Sequence, residues 1–196
     1  MDSSAAAAST NAGFAKPLIA ALLTAAIVFA LALLGIYTRV AFDLASLWPA
    51  NAALLGILAI YPKANSPLTW VLAALAYMAA DMVSGGDLVR SATLNATNLV
   101  GVATGLALIR LWASRFFPMT RPSSVVHFSV VVLAASLACG VAGGLVAGPL
   151  LGLDRLEGFF LWTASEAVNY AIFLPLVMGG RLINCLLYTS PSPRDS

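Results

Sequence analysis

Hydrophobic residues along the chain fall into six long runs, separated by short polar or Gly/Pro-containing connections. The runs lack the strict alternation of apolar and polar residues that marks the strands of a membrane barrel. Each run is near the roughly 20 residues that a helix needs to cross a bilayer, although the third is short. The predicted helical segments are Pro17–Tyr37, Ala45–Tyr61, Leu68–Val83, Leu88–Trp112, Ser124–Leu151 and Gly158–Met178.

The composition supports a membrane protein. Of the 196 residues, 61% are hydrophobic and only 9% are charged, whereas a soluble domain carries roughly 25% charged residues. We therefore predict an all-α membrane protein, a polytopic bundle of about six transmembrane helices. The net charge of +2 does not favour nucleic-acid binding. Two cysteines and one histidine offer no metal-ligand spacing, so no metal or cofactor is expected.

Basic residues are concentrated in alternate connections between the runs. Because Lys and Arg collect on the cytoplasmic side of bacterial membrane proteins, this bias predicts that both termini face the cytoplasm. The predicted cytoplasmic set is Lys16, Lys63, Arg110, Arg115, Arg121 and Arg181. The opposite set combines Arg39, Arg90 and Arg155 with the acidic residues Asp43, Asp81, Asp87, Asp154 and Glu157.

The two ends of the chain are predicted to lie outside the folded domain. Residues 1–16 are rich in Ala, Ser and Thr and are typical of a disordered tail. Residues 185–195 read CLLYTSPSPRD, which matches the conceptual translation of a common transposon-type sequencing adapter. We therefore expect residues 185–196 to be a non-native tail and residues 17–184 to form an integral membrane domain, to which a cytoplasmic segment is naturally attached.

Glu166 is the most unusual residue of the apolar runs. A carboxylate near the centre of a bilayer costs on the order of 2.5–3.5 kcal/mol, so it is expected to face the interior of the bundle and to have a partner there. The candidate partners are Asn95, Asn98 and Asn169. Two interpretations remain open: Glu166 is a ligand or proton site, or it makes a hydrogen bond that stabilises helix packing.

Three further polar or aromatic residues are candidates for the same interior. Trp48 and Pro49 are typical of an interfacial anchor followed by a helix start. Alternatively, Asn51 lines the polar core together with Glu166. Asp81 is either a solvated helix end or part of the bundle lining. The candidate ligand-binding or signalling residues are therefore Trp48, Asn51, Asp81, Asn95, Asn98, Glu166 and Asn169.

Glycines are spaced four residues apart in two of the runs. Gly140, Gly144 and Gly148 form one ridge, and Gly101 and Gly105 form a shorter one. Small residues at this spacing let helix backbones approach closely. We predict that these ridges pack against helices of the same chain, with a dimer seam as the alternative.

Three segments resemble a known family: LWPANAALLGILAIYP, LNATNLVGVATGLALIRLW and LWTASEAVNYAIFLPLVM. They resemble the bacterial MASE family of integral membrane sensor domains, over roughly residues 17–180. The resemblance implies a multi-pass module of the bacterial inner (plasma) membrane that regulates a cytoplasmic GGDEF diguanylate cyclase or histidine kinase. It also implies that the output domain, and further helices of the sensor, follow residue 184 in the natural protein.

The resemblance implies a sensory input module. We do not expect this chain itself to be an enzyme, because its sequence contains no nucleophile–base pair and no phosphate-binding loop. Its expected partners are the lipid bilayer, an unidentified small-molecule ligand and, through the output domain, a second copy of the chain. The alternative is a small secondary transporter or substrate-binding membrane subunit, with Glu166 and Asp81 on a proton or solute path. A purely structural membrane anchor is the third interpretation.

Overall fold

A computed structural model describes residues 3–41, 44–45, 47–113 and 122–188. Over these ranges the chain is almost entirely helical, as predicted. A π-helical turn, Gly143–Ala147, interrupts the fifth helix. The helices are α1 (Ser3–Tyr37), α2 (Pro49–Ile60), α3 (Pro67–Val83), α4 (Leu88–Leu111), α5 (Pro122–Leu150) and α6 (Arg155–Tyr188).

Four segments are long and apolar enough to cross a membrane by length and composition. They are Ala15–Tyr37, Leu88–Leu111, Pro122–Leu150 and Arg155–Gly179. The other two helices, α2 and α3, are apolar but shorter, with 12 and 17 residues. The prediction of six helices is therefore confirmed for the described residues, while a full spanning length is reached by four of them.

Helix α2 is shorter than its hydrophobic run. The start of that run belongs instead to a small antiparallel hairpin, in which β1 (Arg39–Ala41) pairs with β2 (Leu44–Ala45). The helix begins at Pro49, which suits a first helical turn because it has no N–H to satisfy. A 12-residue helix is about 18 Å long, well below the roughly 30 Å of a bilayer core.

Helix α1 is longer than predicted. It begins at Ser3, so it includes residues 3–16, which the sequence analysis assigned to a disordered tail. The run of alanines between Ala5 and Ala8 explains the difference, since alanine has the highest helix propensity. Helix α6 likewise extends to Tyr188 and so includes the first residues of the predicted non-native tail; residues 189–196 lie outside the described part of the chain.

Aspartate side chains cap the starts of two further helices. The Asp87 carboxylate accepts hydrogen bonds from the backbone N–H groups of Val89 and Arg90, both at 3.0 Å, at the start of α4. At the start of α6, the Asp154 carboxylate accepts hydrogen bonds from the backbone N–H groups of Leu156 and Glu157 at 2.8 and 2.9 Å. Between α3 and α4 the chain turns at Gly85, whose φ of +87° is accessible to glycine at little cost.

Helix α2 lies at the centre of the bundle. Ten of its 12 residues are buried, and it packs between α1, α4 and α6. The outer helices place large apolar side chains outwards, among them Leu23, Val71 and Leu176. A short apolar helix is thus enclosed by longer ones, and its polar residues necessarily face an interior.

The glycine ridges pack within the chain, as predicted. A Cβ atom on Gly140 would collide with the Thr163 hydroxyl group of α6, and one on Gly144 would lie 2.5 Å from the Arg155 carbonyl oxygen. A Cβ atom on Gly101 of α4 would collide with the Cys139 sulfur. These glycines therefore bring α4, α5 and α6 into backbone-to-backbone contact.

Candidate functional site

Polar side chains of α2, α3 and α6 meet in the interior of the bundle. We call this group the Glu166 cluster; its members are Trp48, Asn51, Tyr77, Glu166 and Asn169. Each of these residues is at most 7% exposed. Four of these residues, all except Tyr77, were predicted from the sequence as candidate site residues.

Asn51 lies at the centre of the Glu166 cluster. Its side-chain oxygen accepts hydrogen bonds from the Tyr77 hydroxyl at 2.6 Å and from Trp48 Nε1 at 3.2 Å. Its side-chain nitrogen donates to Glu166 Oε1 at 2.9 Å. One amide group therefore joins α3 and α6 to the first turn of α2, as the interpretation of Asn51 as a lining residue predicted.

Asn169 fixes the start of α2 against α6. Its side-chain oxygen accepts a hydrogen bond from the backbone N–H of Trp48 at 2.7 Å. Its side-chain nitrogen donates to the Ser165 carbonyl oxygen, one turn earlier, at 2.8 Å. Asn169 lies near the middle of the candidate span Arg155–Gly179. Helix α2 therefore begins deep inside the bundle rather than at its edge.

Glu166 is incompletely paired. The residue is 3% exposed, and its Oε2 atom has no hydrogen-bond partner. One turn later, the buried hydroxyl group of Tyr170 has none either. Tyr77, Cys139 and Tyr170 lie close enough to interact electrostatically with the carboxyl group, and the hydrogen bond described for it comes from Asn51. An acceptor in this position is suited to a proton or to a hydrogen-bond donor.

A second polar group joins α3 to α4. We call it the Asp81 cluster; its members are Asp81, Ser91 and Asn95. The Asn95 side-chain nitrogen donates to Asp81 Oδ2 at 2.9 Å and to the Ser91 carbonyl oxygen at 2.8 Å. Asp81 is 5% exposed. Of its two predicted interpretations, the structure supports bundle lining over a solvated helix end.

The predicted partners of Glu166 were wrong. We expected Asn95, Asn98 or Asn169 to hydrogen-bond to it, but the structure pairs it with Asn51. Asn95 is engaged by Asp81 instead, and Asn169 by Trp48. The spacing of residues along a helix predicts which side chains share one face of that helix. It does not predict which faces of different helices pack together, because that depends on the arrangement of all six helices.

Asn98 and Trp48 also differ from expectation. Asn98 is buried near α5, where its backbone oxygen lies 3.8 Å from the Cys139 sulfur. It is not part of either cluster. Trp48 was expected at the membrane interface, but it is 7% exposed and stacks on Tyr77 with a centroid distance of 6.3 Å. Its indole N–H finds a partner inside the bundle, which removes the usual reason for an interfacial position.

Sequence reasoning missed two tyrosines and a serine. Tyr77, Tyr170 and Ser165 all contact or neighbour the Glu166 cluster. A signal for two of them was present, since Tyr77 precedes Asp81 by four residues and Tyr170 follows Glu166 by four. A tyrosine on the same helix face as an intramembrane carboxyl group is a candidate for the same interior.

The described residues contain no group of three or more His, Cys, Asp or Glu side chains that could hold a metal ion. No family model, curated protein or solved structure matches this chain. The resemblance to the MASE family thus stays a prediction from the three sequence segments.

Proposed function

We propose that this chain is a membrane-embedded sensory module that regulates a cytoplasmic output domain of the GGDEF or histidine kinase type. A stimulus acts on the Glu166 cluster, and the resulting change in helix packing is passed to the output through α6. The observation that carries the proposal is the hydrogen bond between Asn51 and Glu166, which joins the central helix to the helix that leads out of the bundle.

Membrane insertion is supported by the outer surface of the bundle. Large apolar side chains cover it on several helices, for example Leu23 at 60%, Leu133 at 56% and Leu176 at 68% exposure. Monomeric soluble proteins rarely expose apolar patches beyond a few hundred Å². Together with the four helices of spanning length, this supports insertion into a membrane. The resemblance to the MASE family implies that this is the bacterial inner membrane.

The proposed topology has both termini in the cytoplasm. It follows from the excess of Lys and Arg in alternate connections. It agrees with the packing of α2 beside α6, because Asn51 contacts Glu166 while Gly56 approaches Val177. The two helices thus run in the same direction, as two outside-to-inside segments do.

Continuity of α6 supports signal transfer. The helix extends from Arg155 to Tyr188 with Pro175 inside it, so Glu166 and Asn169 lie on the same helix as the end that leaves the candidate span. A proline inside a helix removes a backbone hydrogen bond and favours a kink, so a rearrangement at Asn51 reaches the far end of α6 through the segment around Pro175. The signal is then a change in the populations of two arrangements of the helices, which bind the stimulus with different affinity.

A small transporter is the second candidate, favoured by the position of α2. Transporters often contain half-length helices that begin near the membrane midplane beside a binding site. Helix α2 is of that length and begins beside a buried carboxyl group. Uptake of a solute into vesicles that contain only this protein would favour this candidate over the sensor.

The sensory proposal is tested by fusing residues 1–184 to a GGDEF domain that lacks its own sensor. We expect cyclic di-GMP production by this fusion to differ at least several-fold between the unchanged sequence and Asn51→Ala, because that substitution disconnects α2 from α6. Asn65→Ala is the matched control, since Asn65 accepts a single hydrogen bond, from Trp70, in the connection between α2 and α3.

Equal production in all three fusions, at equal amounts in the membrane, would contradict the proposal. A reporter fused after Gly180 tests the topology separately. We expect it to be active in the cytoplasm, and activity in the periplasm would overturn the proposed direction of α6.

A further inference from the structure

Three of the unpartnered buried polar atoms lie on one face of α6. They are Thr163 Oγ1, Glu166 Oε2 and Tyr170 OH, at positions i, i+3 and i+7. A fourth, Ser136 Oγ, lies on α5, one turn before the Gly140 that contacts Thr163. Buried polar atoms without partners are rare in native proteins and call for an explanation.

The carboxyl group is the most demanding of these atoms. One of its oxygens receives a single hydrogen bond, from the Asn51 amide, and the other receives none. The hydrogen bonds described for this carboxyl group include none from a Lys, Arg or His side chain. An unpaired buried charge costs several kcal/mol even after relaxation of its surroundings. A proton on Oε2 removes that charge and turns the atom into a donor.

The site is closed to larger ligands. Glu166 is 3% exposed and Tyr170 is 0% exposed. Helices α4 and α5 close the site on one side, where a Cβ atom on Gly101 would lie 3.3 Å from the Tyr170 hydroxyl oxygen. Without movement of the helices, only a species as small as a proton or a single water molecule can reach Oε2.

We propose that Glu166 is a proton-binding site and that its proton is the stimulus of the sensor. Binding takes one proton from water and forms one O–H bond at Oε2; no other bond breaks and no electron is transferred. This inference rests on the proposed function, since it names the ligand of the same cluster.

Loss of the proton changes the contacts of both helices that meet there. A neutral Glu166 carries a donor at Oε2 and accepts at Oε1. The ionised group only accepts, so it draws the donors of Asn51 and Tyr170 towards itself. The other titratable groups that face it are Tyr77 of α3 and Cys139 of α5. Because Asn51 begins α2, the change is transmitted to the centre of the bundle.

The test is infrared spectroscopy of the full chain in lipid vesicles, which detects the C=O stretching band of a protonated carboxyl group. We compare the unchanged protein with Glu166→Gln over a range of pH. Glu157→Gln is the matched control, because Glu157 is an exposed acid on the same helix. Near neutral pH we expect the band in the unchanged protein and in the control, and its loss in Glu166→Gln. We also expect the band to disappear reversibly as the pH rises.

Two results overturn the inference. If the spectra of the unchanged protein and Glu166→Gln agree at every pH, Glu166 does not hold a proton. If the band persists at every pH, the acid is permanently neutral and is no stimulus site. In both cases the sensory proposal still holds if Asn51→Ala changes cyclic di-GMP production by the GGDEF fusion. The opposite outcome is also distinguishable. If the infrared band of Glu166 disappears with rising pH but no variant changes cyclic di-GMP production, Glu166 binds a proton and the sensory role is excluded.

Discussion

The Glu166 and Asp81 clusters are nearly equally buried but differently built. Their carboxyl residues are 3% and 5% exposed, so burial does not distinguish them. Asp81 is held by Asn95, 14 residues away and across a single turn of the chain. Glu166 is held by Asn51, 115 residues away, and one of its oxygens has no partner.

The contact of Asp81 is therefore local in sequence, whereas the contact of Glu166 forms only when distant helices are packed together. The Asp81 cluster needs only α3 and α4, which are consecutive helices. The Glu166 cluster requires α2, α3 and α6 to be assembled around one amide group. A change in helix packing therefore disturbs the Glu166 cluster first, and this makes it the better candidate for detecting such a change.

The largest predicted contrast is between two asparagines. Asn51→Ala leaves Trp48 Nε1, the Tyr77 hydroxyl and Glu166 Oε1 without their partner. With about 0.6–1 kcal/mol for each bond, we expect a loss of about 2–3 kcal/mol in the free energy of unfolding. Asn95→Ala removes two hydrogen bonds and should cost about 1–2 kcal/mol. Reversible denaturation in bicelles, followed by helical circular dichroism, measures both values, and an equal or larger cost for Asn95→Ala would contradict the comparison.

A glycine beside the Glu166 cluster provides the next contrast. Gly101→Ala places a methyl group against Cys139 and close to the Tyr170 hydroxyl, so overpacking should destabilise the protein by about 1–3 kcal/mol. Gly179→Ala is the matched control, because nothing lies within 4 Å of the added atom. We expect it to stabilise by roughly 0.5–1 kcal/mol through helix propensity alone. The same denaturation measurement decides, and destabilisation by both substitutions would argue against close packing of α4 on α5.

Neutral replacements of the two acids should also differ. Glu166→Gln keeps an acceptor for the Asn51 amide and adds a donor where Oε2 has no partner, so we expect a change of less than about 0.5 kcal/mol. Asp81→Asn weakens a hydrogen bond to a charged acceptor and should cost about 1 kcal/mol. Thermal unfolding of both variants at neutral pH provides the comparison. A clear loss for Glu166→Gln alone would mean that Glu166 is ionised and well paired.

The smallest contrast concerns two tyrosines. Tyr77→Phe removes the hydrogen bond to Asn51 and should cost about 0.6 kcal/mol, the average for such bonds in membranes. Tyr170→Phe removes a hydroxyl group that has no partner, so it should be neutral or slightly stabilising. Chemical denaturation of the two variants side by side measures the difference. A reversed order would show that the Tyr170 hydroxyl has a partner, such as an internal water molecule.

The class of fold could be predicted from the sequence because the length of an apolar run, which indicates a membrane helix, depends only on local composition. The runs that became α4, α5 and α6 were found to within a few residues at most ends, because each is a continuous apolar stretch bounded by polar or Gly/Pro-containing connections. The predicted length of α2 was too great, because the same apolar run contains a residue of β2 before the helix begins at Pro49. Hydropathy does not distinguish a strand from a helix in so short a stretch.

The candidate site was predicted in its members but not in its pairing. Glu166, Asn51 and Asn169 were identified because polar groups in apolar helices must face an interior. Their partners depend on which helix faces meet, and that is a property of the complete bundle. The two tyrosines were missed because their rings suit an apolar core equally well, and only their hydroxyl groups belong to the polar interior.

The central claim, that Glu166 faces inward onto Asn51, is tested most directly by a double-mutant cycle. Unfolding free energies are measured for Asn51→Ala, Glu166→Leu and the double variant. We predict a coupling energy of about 0.6–1.7 kcal/mol between the two side chains. We also predict additivity, within about 0.5 kcal/mol, for the same cycle between Asn95 and Glu166. Additive effects for Asn51 and Glu166, or a coupling that appears only with Asn95, would contradict the account.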